Sequence, residues 1–162
     1  MEKKFILTDK FVINSFGIKL FQIKCTKSFK YAQKGDFGGY VEKEGNLDQE
    51  NDAWVSGDAR VFGNARVSGD AWVSGNAWVS GDADIENDNE HCGFDGFGSC
   101  NRHTHAYMTK EKKVEIICGC FRGSIEEFEK KVEETHSGTV YEKQYKSIIN
   151  VIKIKFGLTD FT

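Results

Sequence analysis

The side chains best suited to chemistry are thiols and imidazoles, and most of them lie between residues 91 and 120. Both are ligands that structural zinc prefers, usually as pairs separated by two to four residues. Six such residues are candidate zinc ligands: Cys92, Cys100, His103, His105, Cys118 and Cys120. The first two cysteines are eight residues apart and the last two flank a single glycine, so this spacing is poor for zinc. We expect no metal, no cofactor and reduced thiols.

Two catalytic interpretations use these residue types. A histidine could act as the general base of an acyl transfer, and four are available: His91, His103, His105 and His136. A thiol at Cys100 stands beside Arg102 and His103, which could lower its pKa and make it a nucleophile. Neighbours in sequence need not be neighbours in space, so we predict no catalytic residue and favour binding without catalysis.

The segment 98–105 is the best candidate for a binding site. It combines glycine with hydrogen-bond donors, and its guanidinium group can bind a phosphate or another anion through parallel hydrogen bonds. Two nearby aromatic rings could stack on a planar ligand. We predict a site for a small anionic or nucleotide-like ligand, formed by Ser99, Asn101, Arg102, Thr104, His105, Tyr107 and Phe121. The alternative is that these polar residues only cap the repeats that precede them.

A six-residue repeat in the middle of the chain must position this segment. Val or Ile recurs at every sixth residue from Val55 to Ile85, Ala follows four places later, and Gly-Asp or Gly-Asn fills the corner between them. A period of six is typical of a parallel β-helix, in which each unit is one short strand plus a corner. Val41 and Leu47 fit the frame of the alanines, which extends the predicted solenoid to residues 41–90.

Residues eighteen apart should stack on neighbouring coils of such a solenoid. The outward positions then form three ladders of side chains, which are Trp54 with Trp72, Arg60 with Trp78, and Arg66 with Asp84. The outward tryptophans need a cover, and we expect the C-terminal segment or a second copy of the chain to supply it. Self-association is therefore expected.

The solenoid is too short to stand alone, so both flanks should cap it. The N-terminal cap, residues 1–40, contains two β-forming runs on either side of a short turn at residues 15–17, which predicts a hairpin. The chain is therefore predicted to be mainly β, with a short parallel β-helix between an N-terminal hairpin and a C-terminal α+β tail.

The C-terminal region, residues 91–162, should begin as an irregular loop, because residues 87–105 are polar and rich in glycine. A hairpin over residues 106–120 should follow. Ser124 and Glu127 have the spacing of a capping box, which predicts a helix from Ser124. A second helix is predicted from about Val140. These helices offer a cover for one face of the solenoid.

Composition limits the classes of partner. The 162 residues are 39% hydrophobic and 29% charged, with a net charge of −3, which argues against a general nucleic-acid binder because those usually carry a basic face. No apolar run approaches the length of a membrane span and no signal peptide is evident, so we expect a cytoplasmic protein without a membrane partner.

The order of these features resembles a group of short proteins encoded by bacteriophages and prophages. The segments that carry the resemblance are residues 34–44, Asn46-Leu47, the Gly-Asp-Ala-Arg-Val repeats, residues 98–104, and residues 118–136. The repeat also resembles the hexapeptide pattern of left-handed β-helices, with its glycine displaced to the third place. The resemblance implies a left-handed β-helix with a small α+β tail, of phage origin, and carries no assigned activity.

From this resemblance we expect a non-enzymatic accessory protein that counters host defence in the cytoplasm of an infected cell. It would do so by sequestering a nucleotide-like signal or by blocking a host protein. A hexapeptide-type acyltransferase and a structural protein of the virion are the alternatives.

Overall fold

A computed structural model describes residues 2–158, and its centre is a three-sided solenoid. Each side is a parallel ladder in which residues eighteen apart pair, as predicted for all three outward ladders. The six solenoid strands are β4 (Trp54–Val55), β5 (Arg60–Val61), β6 (Arg66–Val67), β7 (Trp72–Val73), β8 (Trp78–Val79) and β9 (Asp84–Ile85). The residues matched by the repeat thus form a β-solenoid.

The inside of the solenoid is filled by the repeated valines and alanines, all of which are buried. Backbone amides of one coil donate to carbonyls of the next, as in Trp54 N to Ala71 O at 3.0 Å. The five corner glycines have φ between 58° and 67°, a left-handed conformation that side chains disfavour. At Gly69 a Cβ would also collide with the carbonyl oxygen of Glu86. Small inward residues and glycine corners therefore allow the coils to stack.

The N-terminal hairpin is confirmed and extends one side of the solenoid. Its strands are β1 (Phe5–Ile13) and β2 (Lys19–Cys25), and β3 (Phe37–Val41) joins them to the solenoid in a sheet of order β1-β2-β3-β5-β8. Val41 pairs with Val61, and Leu47 bridges to Val67. The predicted alanine register for Val41 and Leu47 is wrong. The first coil is two residues longer than the others, so both residues lie under valines.

Two of the three outward tryptophans, Trp54 and Trp72, are covered by the N-terminal segment, whereas Trp78 borders the C-terminal sheet. Phe29 packs edge-on against Trp54 at 5.3 Å, and Tyr31 stacks on Trp72 at 5.1 Å between ring centroids. Trp54 is buried, whereas Trp72 remains partly exposed. The loop between β2 and β3 crosses the side of the solenoid that carries Trp54 and Trp72, and the expected C-terminal cover is found only beside Trp78.

A four-stranded antiparallel sheet follows the solenoid. Its strands, in spatial order, are β10 (His91–Phe97), β11 (Arg102–Met108), β12 (Val114–Cys118) and β13 (Phe121–Ser124). The prediction of an irregular loop over residues 87–105 is therefore wrong for most of that stretch. The side chains of β11 that face the solenoid include His103 and His105 instead of aliphatic residues. The sequence of β11 therefore lacks the alternation of apolar and polar residues that would predict a strand.

Two helices complete the fold, α1 (Ile125–His136) and α2 (Val140–Lys155). The predicted N-cap of α1 is confirmed, because Ser124 Oγ accepts a hydrogen bond from the Glu127 amide at 3.1 Å. The helices pack on Ala106, Ile116 and Cys118 of the sheet, while other sheet residues face the solenoid. The helices thus cover the sheet and not the solenoid, because the sheet is apolar on both faces. No helix within residues 2–158 has the length and apolar character needed to cross a membrane.

Candidate functional site

Strand β11 carries most of the predicted site residues and divides them between its two faces. Successive side chains of a strand point to opposite sides. Thr104 and Ala106 accordingly face the helices, and His105 and Tyr107 face the solenoid. The predicted residues therefore do not form one continuous surface.

Three of the predicted residues are buried beneath the surface. Thr104 is fully buried, and its hydroxyl donates to Cys118 Sγ at 3.3 Å. Tyr107 is also fully buried; its hydroxyl donates to Glu115 Oε1 at 2.7 Å, and burial raises the pKa of its phenol. His105 is buried against two other histidines. These three residues support cavity walls from inside the protein and do not line them.

The other predicted residues lie at two cavities, one on each face of the sheet. Ser99, Arg102 and Phe121 line a cavity of about 630 Å³ between the sheet and the helices, which we call the helix-side cavity. Asn101 lines a second cavity of about 530 Å³ between the sheet and the solenoid, beside Trp78. Arg102 borders both cavities. A volume of several hundred Å³ is typical of small-molecule sites.

Positive charge collects at the helix-side cavity. Arg102 and Lys131 line it, and no Asp or Glu is among its lining residues. Arg122 also borders the cavity, but it pairs with Ile117 across the sheet, and its guanidinium lies on the solenoid face, 3.5 Å from Glu115 and against the corner at Gly81. Within residues 2–158, no carboxylate forms an ion pair with Arg102 or Lys131. Since the whole chain carries a net charge of −3, this concentration of cations is local.

Aromatic rings form one wall of the same cavity. Phe121 and Phe128 lie 5.2 Å apart between ring centroids, and Tyr145 meets Phe128 edge-on at 5.5 Å. His136 stacks on Tyr145 at 5.5 Å with an interplanar angle of 29°. The wall therefore offers flat apolar surface next to the cationic groups.

The base of the cavity is polar and holds a thiol. Tyr145 Oη lies 3.8 Å from Cys118 Sγ, which also accepts the hydrogen bond from Thr104. Burial and the neighbouring Cys118 raise the pKa of Tyr145, so its hydroxyl keeps its proton and can donate to a bound acceptor. Cys100 and Cys120 lie at the rim and are exposed.

Sequence reasoning missed the residues that α1 and α2 bring to this cavity, above all Lys131 and Tyr145. Both are far from the segment 98–105 in sequence, and a helix face gives no sign of which strand it will meet. His136 was considered only as a general base. The one available signal was that the resemblance to phage proteins includes the segment that ends at His136.

The candidate zinc ligands do not come together. Cys118 faces the helices, while His103 and His105 face the solenoid. Within residues 2–158, no three His, Cys, Asp or Glu side chains are arranged to hold a metal ion. The ring nitrogens of His91, His103 and His105 all contact one another or a carboxylate. None of these three histidines therefore offers a ring nitrogen without a partner to act as the general base of an acyl transfer.

Comparison with known families addresses the solenoid alone. Residues 53–81 match the family described as YdcK Beta solenoid repeat in three overlapping segments, 53–68, 59–75 and 65–81. The chain contains a β-solenoid repeat. The match ends before the C-terminal sheet, so it does not reach the helix-side cavity. No curated protein matches the chain.

Proposed function

We propose that the helix-side cavity binds a small anionic ligand that carries a planar ring, such as a nucleotide-like signal molecule. The observation that carries this proposal is the combination of Arg102 and Lys131 with an aromatic wall and no acidic lining residue. Guanidinium groups bind phosphates through paired hydrogen bonds, and aromatic rings offer stacking surface to a base. The cavity of about 630 Å³ has room for such a molecule.

Binding without turnover is the activity that we propose. The cationic groups hold the ligand's phosphate, and the hydroxyl of Tyr145 donates to it from the base of the cavity. Sequestration requires only that the ligand be bound tightly and released slowly. We propose accordingly that the protein removes a nucleotide-like signal from solution and thereby counters host defence as a phage accessory protein in the cytoplasm of an infected cell.

The proposal includes two properties of the scaffold. We propose that the solenoid is left-handed, which its six-residue period and its resemblance to hexapeptide proteins support. We also propose self-association, for which the exposed apolar residues of the N-terminal hairpin, Phe11, Ile13 and Phe16, give support. Sedimentation at several protein concentrations tests the second property, and a single monomeric species throughout would exclude it.

Calorimetric titration with ADP-ribose and with cyclic mononucleotides and dinucleotides tests the ligand proposal. Arg102→Gln and Lys131→Gln should each weaken binding by about 10-fold to 100-fold, since a hydrogen bond to a charged group contributes about 1.5–3 kcal/mol. Lys130→Gln is the matched control, because Lys130 is exposed on the same helix as Lys131 but does not line the cavity. Raised salt should weaken binding to the native protein.

The outcomes separate the two versions of the function. Binding that is lost in both cavity variants and kept in Lys130→Gln supports sequestration. Absence of binding to every nucleotide refutes it and favours the version in which the protein blocks a host protein. Equal weakening by all three variants would show that surface charge alone attracts the ligand, and this also refutes a site in the cavity.

A further inference from the structure

Three histidines form a continuous chain of contacts between the solenoid and the C-terminal sheet. His103 Nε2 lies 2.9 Å from His105 Nδ1, and His105 Nε2 lies 3.0 Å from His91 Nδ1. A carboxylate closes each end, with Asp95 Oδ1 2.6 Å from His103 Nδ1 and Asp88 Oδ1 3.3 Å from His91 Nε2. We call these five residues the histidine chain. All six ring nitrogens are within hydrogen-bonding distance of another member.

Counting protons shows that the histidine chain is one short when every imidazole is neutral. It has four contacts, and each needs one hydrogen to be a hydrogen bond. A neutral imidazole supplies one N–H, and an ionised carboxylate supplies none. Three neutral histidines therefore fill three contacts, and in the fourth two lone pairs face each other. One added proton makes one ring an imidazolium and completes all four bonds.

The geometry places the added proton on His103. Its contact with Asp95 is the shortest of the chain at 2.6 Å, as expected for a hydrogen bond between opposite charges. Burial lowers the pKa of His105 well below its ordinary value, and burial also lowers the pKa of His91. The hydrogen bond from His103 lowers the pKa of Asp95. Two further cations lie nearby. Lys155 of α2 further disfavours charge on His91, and Arg102 lines the second cavity together with His103 and Asp95.

The histidine chain is attached to the solenoid at both ends. Asp88 Oδ1 accepts a hydrogen bond from the Trp72 amide at 2.8 Å, and Asn76 Nδ2 lies 3.5 Å from Asp95 Oδ1. The three rings belong to β10 and β11. Gly93 leaves room for them, because a Cβ at that position would lie 2.5 Å from His103 Cε1. The chain thus spans the junction between the sheet and the last coils.

We propose that the histidine chain is a proton-binding site, which holds one proton more than three neutral histidines carry and uses it to fasten the C-terminal sheet to the solenoid. No group is chemically changed, and the proton comes from solvent. The site is separate from the helix-side cavity, since its rings lie on the opposite face of the sheet.

The proposal predicts an unusual dependence of stability on pH. Three unfolded histidines with a pKa of about 6.5 bind one proton in total at about pH 6.8. Above that pH the folded protein holds more protons than the unfolded chain, so stability falls as pH rises. Below it the unfolded chain holds more, so stability falls as pH falls. The contribution of the three histidines to stability should therefore be greatest at about pH 6.8.

Three neutral histidines predict a different curve. The folded protein would then hold none of these protons, and stability would rise steadily between about pH 5.5 and pH 7.7. With the bound proton, the histidine contribution alone should instead make the unfolding constant grow about six-fold per pH unit near pH 7.7, because the folded chain holds about 0.8 proton more. Lys4, whose pKa burial lowers to about 8, partly offsets this slope. The two hypotheses therefore differ in the sign of the slope above neutrality.

The experiment measures urea unfolding across this pH range in a His136→Gln background, which removes the one histidine outside the chain. Asp95→Asn removes the carboxylate that balances the imidazolium and is expected to abolish the fall in stability above neutrality. Asp95 is largely exposed, so the variant should fold. Nitrogen NMR of the labelled folded protein reads the same protons without unfolding.

At about pH 7 the NMR spectra should show both ring nitrogens of His103 protonated, with His91 and His105 neutral and protonated at Nε2. A maximum in stability near neutrality together with this pattern supports the proposal. A steady rise in stability over the whole range, or a neutral His103, overturns it. If unfolding is irreversible, the protonation state of His103 decides alone.

Discussion

In the first coil, the side chain of Asn46 makes hydrogen bonds that backbone amides make in the other coils. Substituting Asn46 therefore tests how the first coil of the solenoid is capped. In a regular coil, Gly81 O and Ala83 O accept hydrogen bonds from the amides of Asn64 and Arg66. The equivalent carbonyls one coil earlier, Gly63 O and Ala65 O, instead face a short 3₁₀ turn, Glu44–Asn46. The side-chain amide of Asn46 donates to both, at 3.2 Å and 2.8 Å.

The size of the effect follows from the partners of that side chain. Asn46 is fully buried, and its Oδ1 also accepts from the Lys43 amide at 2.9 Å. Asn46→Ala leaves three backbone groups without a partner, which should lower the free energy of unfolding by about 3 kcal/mol. Asn46→Asp has nearly the same shape but turns a carboxylate oxygen toward two carbonyls, so we expect a further loss of about 2 kcal/mol.

Urea unfolding followed by tryptophan fluorescence measures both losses, because all three tryptophans lie in the solenoid. Asn64→Asp is the control, since Asn64 is exposed at a corner where Asp occurs in neighbouring repeats. Protonation removes the repulsion, so Asn46→Asp should recover part of its stability as pH falls below the raised pKa of the new carboxyl group. A loss below about 1 kcal/mol for Asn46→Ala, or equal losses for the two variants, would refute the reasoning.

Two further predictions concern other junctions of the fold. Lys4 Nζ contacts three backbone carbonyls, the nearest being Ala53 O at 2.6 Å, so Lys4→Met should lower the free energy of unfolding by about 2 kcal/mol in a urea titration at neutral pH. Burial lowers the pKa of Lys4 to about 8, so the unfolded chain binds more protons above that pH. The contribution of Lys4 to stability should then rise toward pH 10.5, so the native protein should gain stability relative to Lys4→Met over that range. Gly93→Ala should lower the free energy of unfolding by about 1–3 kcal/mol and change the histidine NMR signals, because the added Cβ would collide with His103 and His105. Gly45→Ala is the control and should have neither effect, because its Cβ would meet nothing within 4 Å.

The solenoid could be predicted from the sequence because its information is local and repeated. Each unit specifies its own strand, corner and inward residue, so a period of six and a separation of eighteen are enough to pair Arg60 with Trp78. The hairpin and both helices followed for the same reason, from turn residues and from caps such as Ser124. The error in the first coil arose where two extra residues interrupt the period.

The candidate site could be predicted only in part, since it depends on how separate elements pack. Ser99, Arg102 and Phe121 do share the helix-side cavity, but the alternation of β11 turns Tyr107 to the opposite face, and Thr104 is fully buried against Cys118. The sequence alone therefore determined the repeat and its caps, and it pointed to Arg102 as a candidate anion-binding residue. Only the tertiary structure decided that α1 and α2 complete a cationic cavity and that three histidines align. Those contacts join residues far apart in the chain, and no local pattern records which faces will meet.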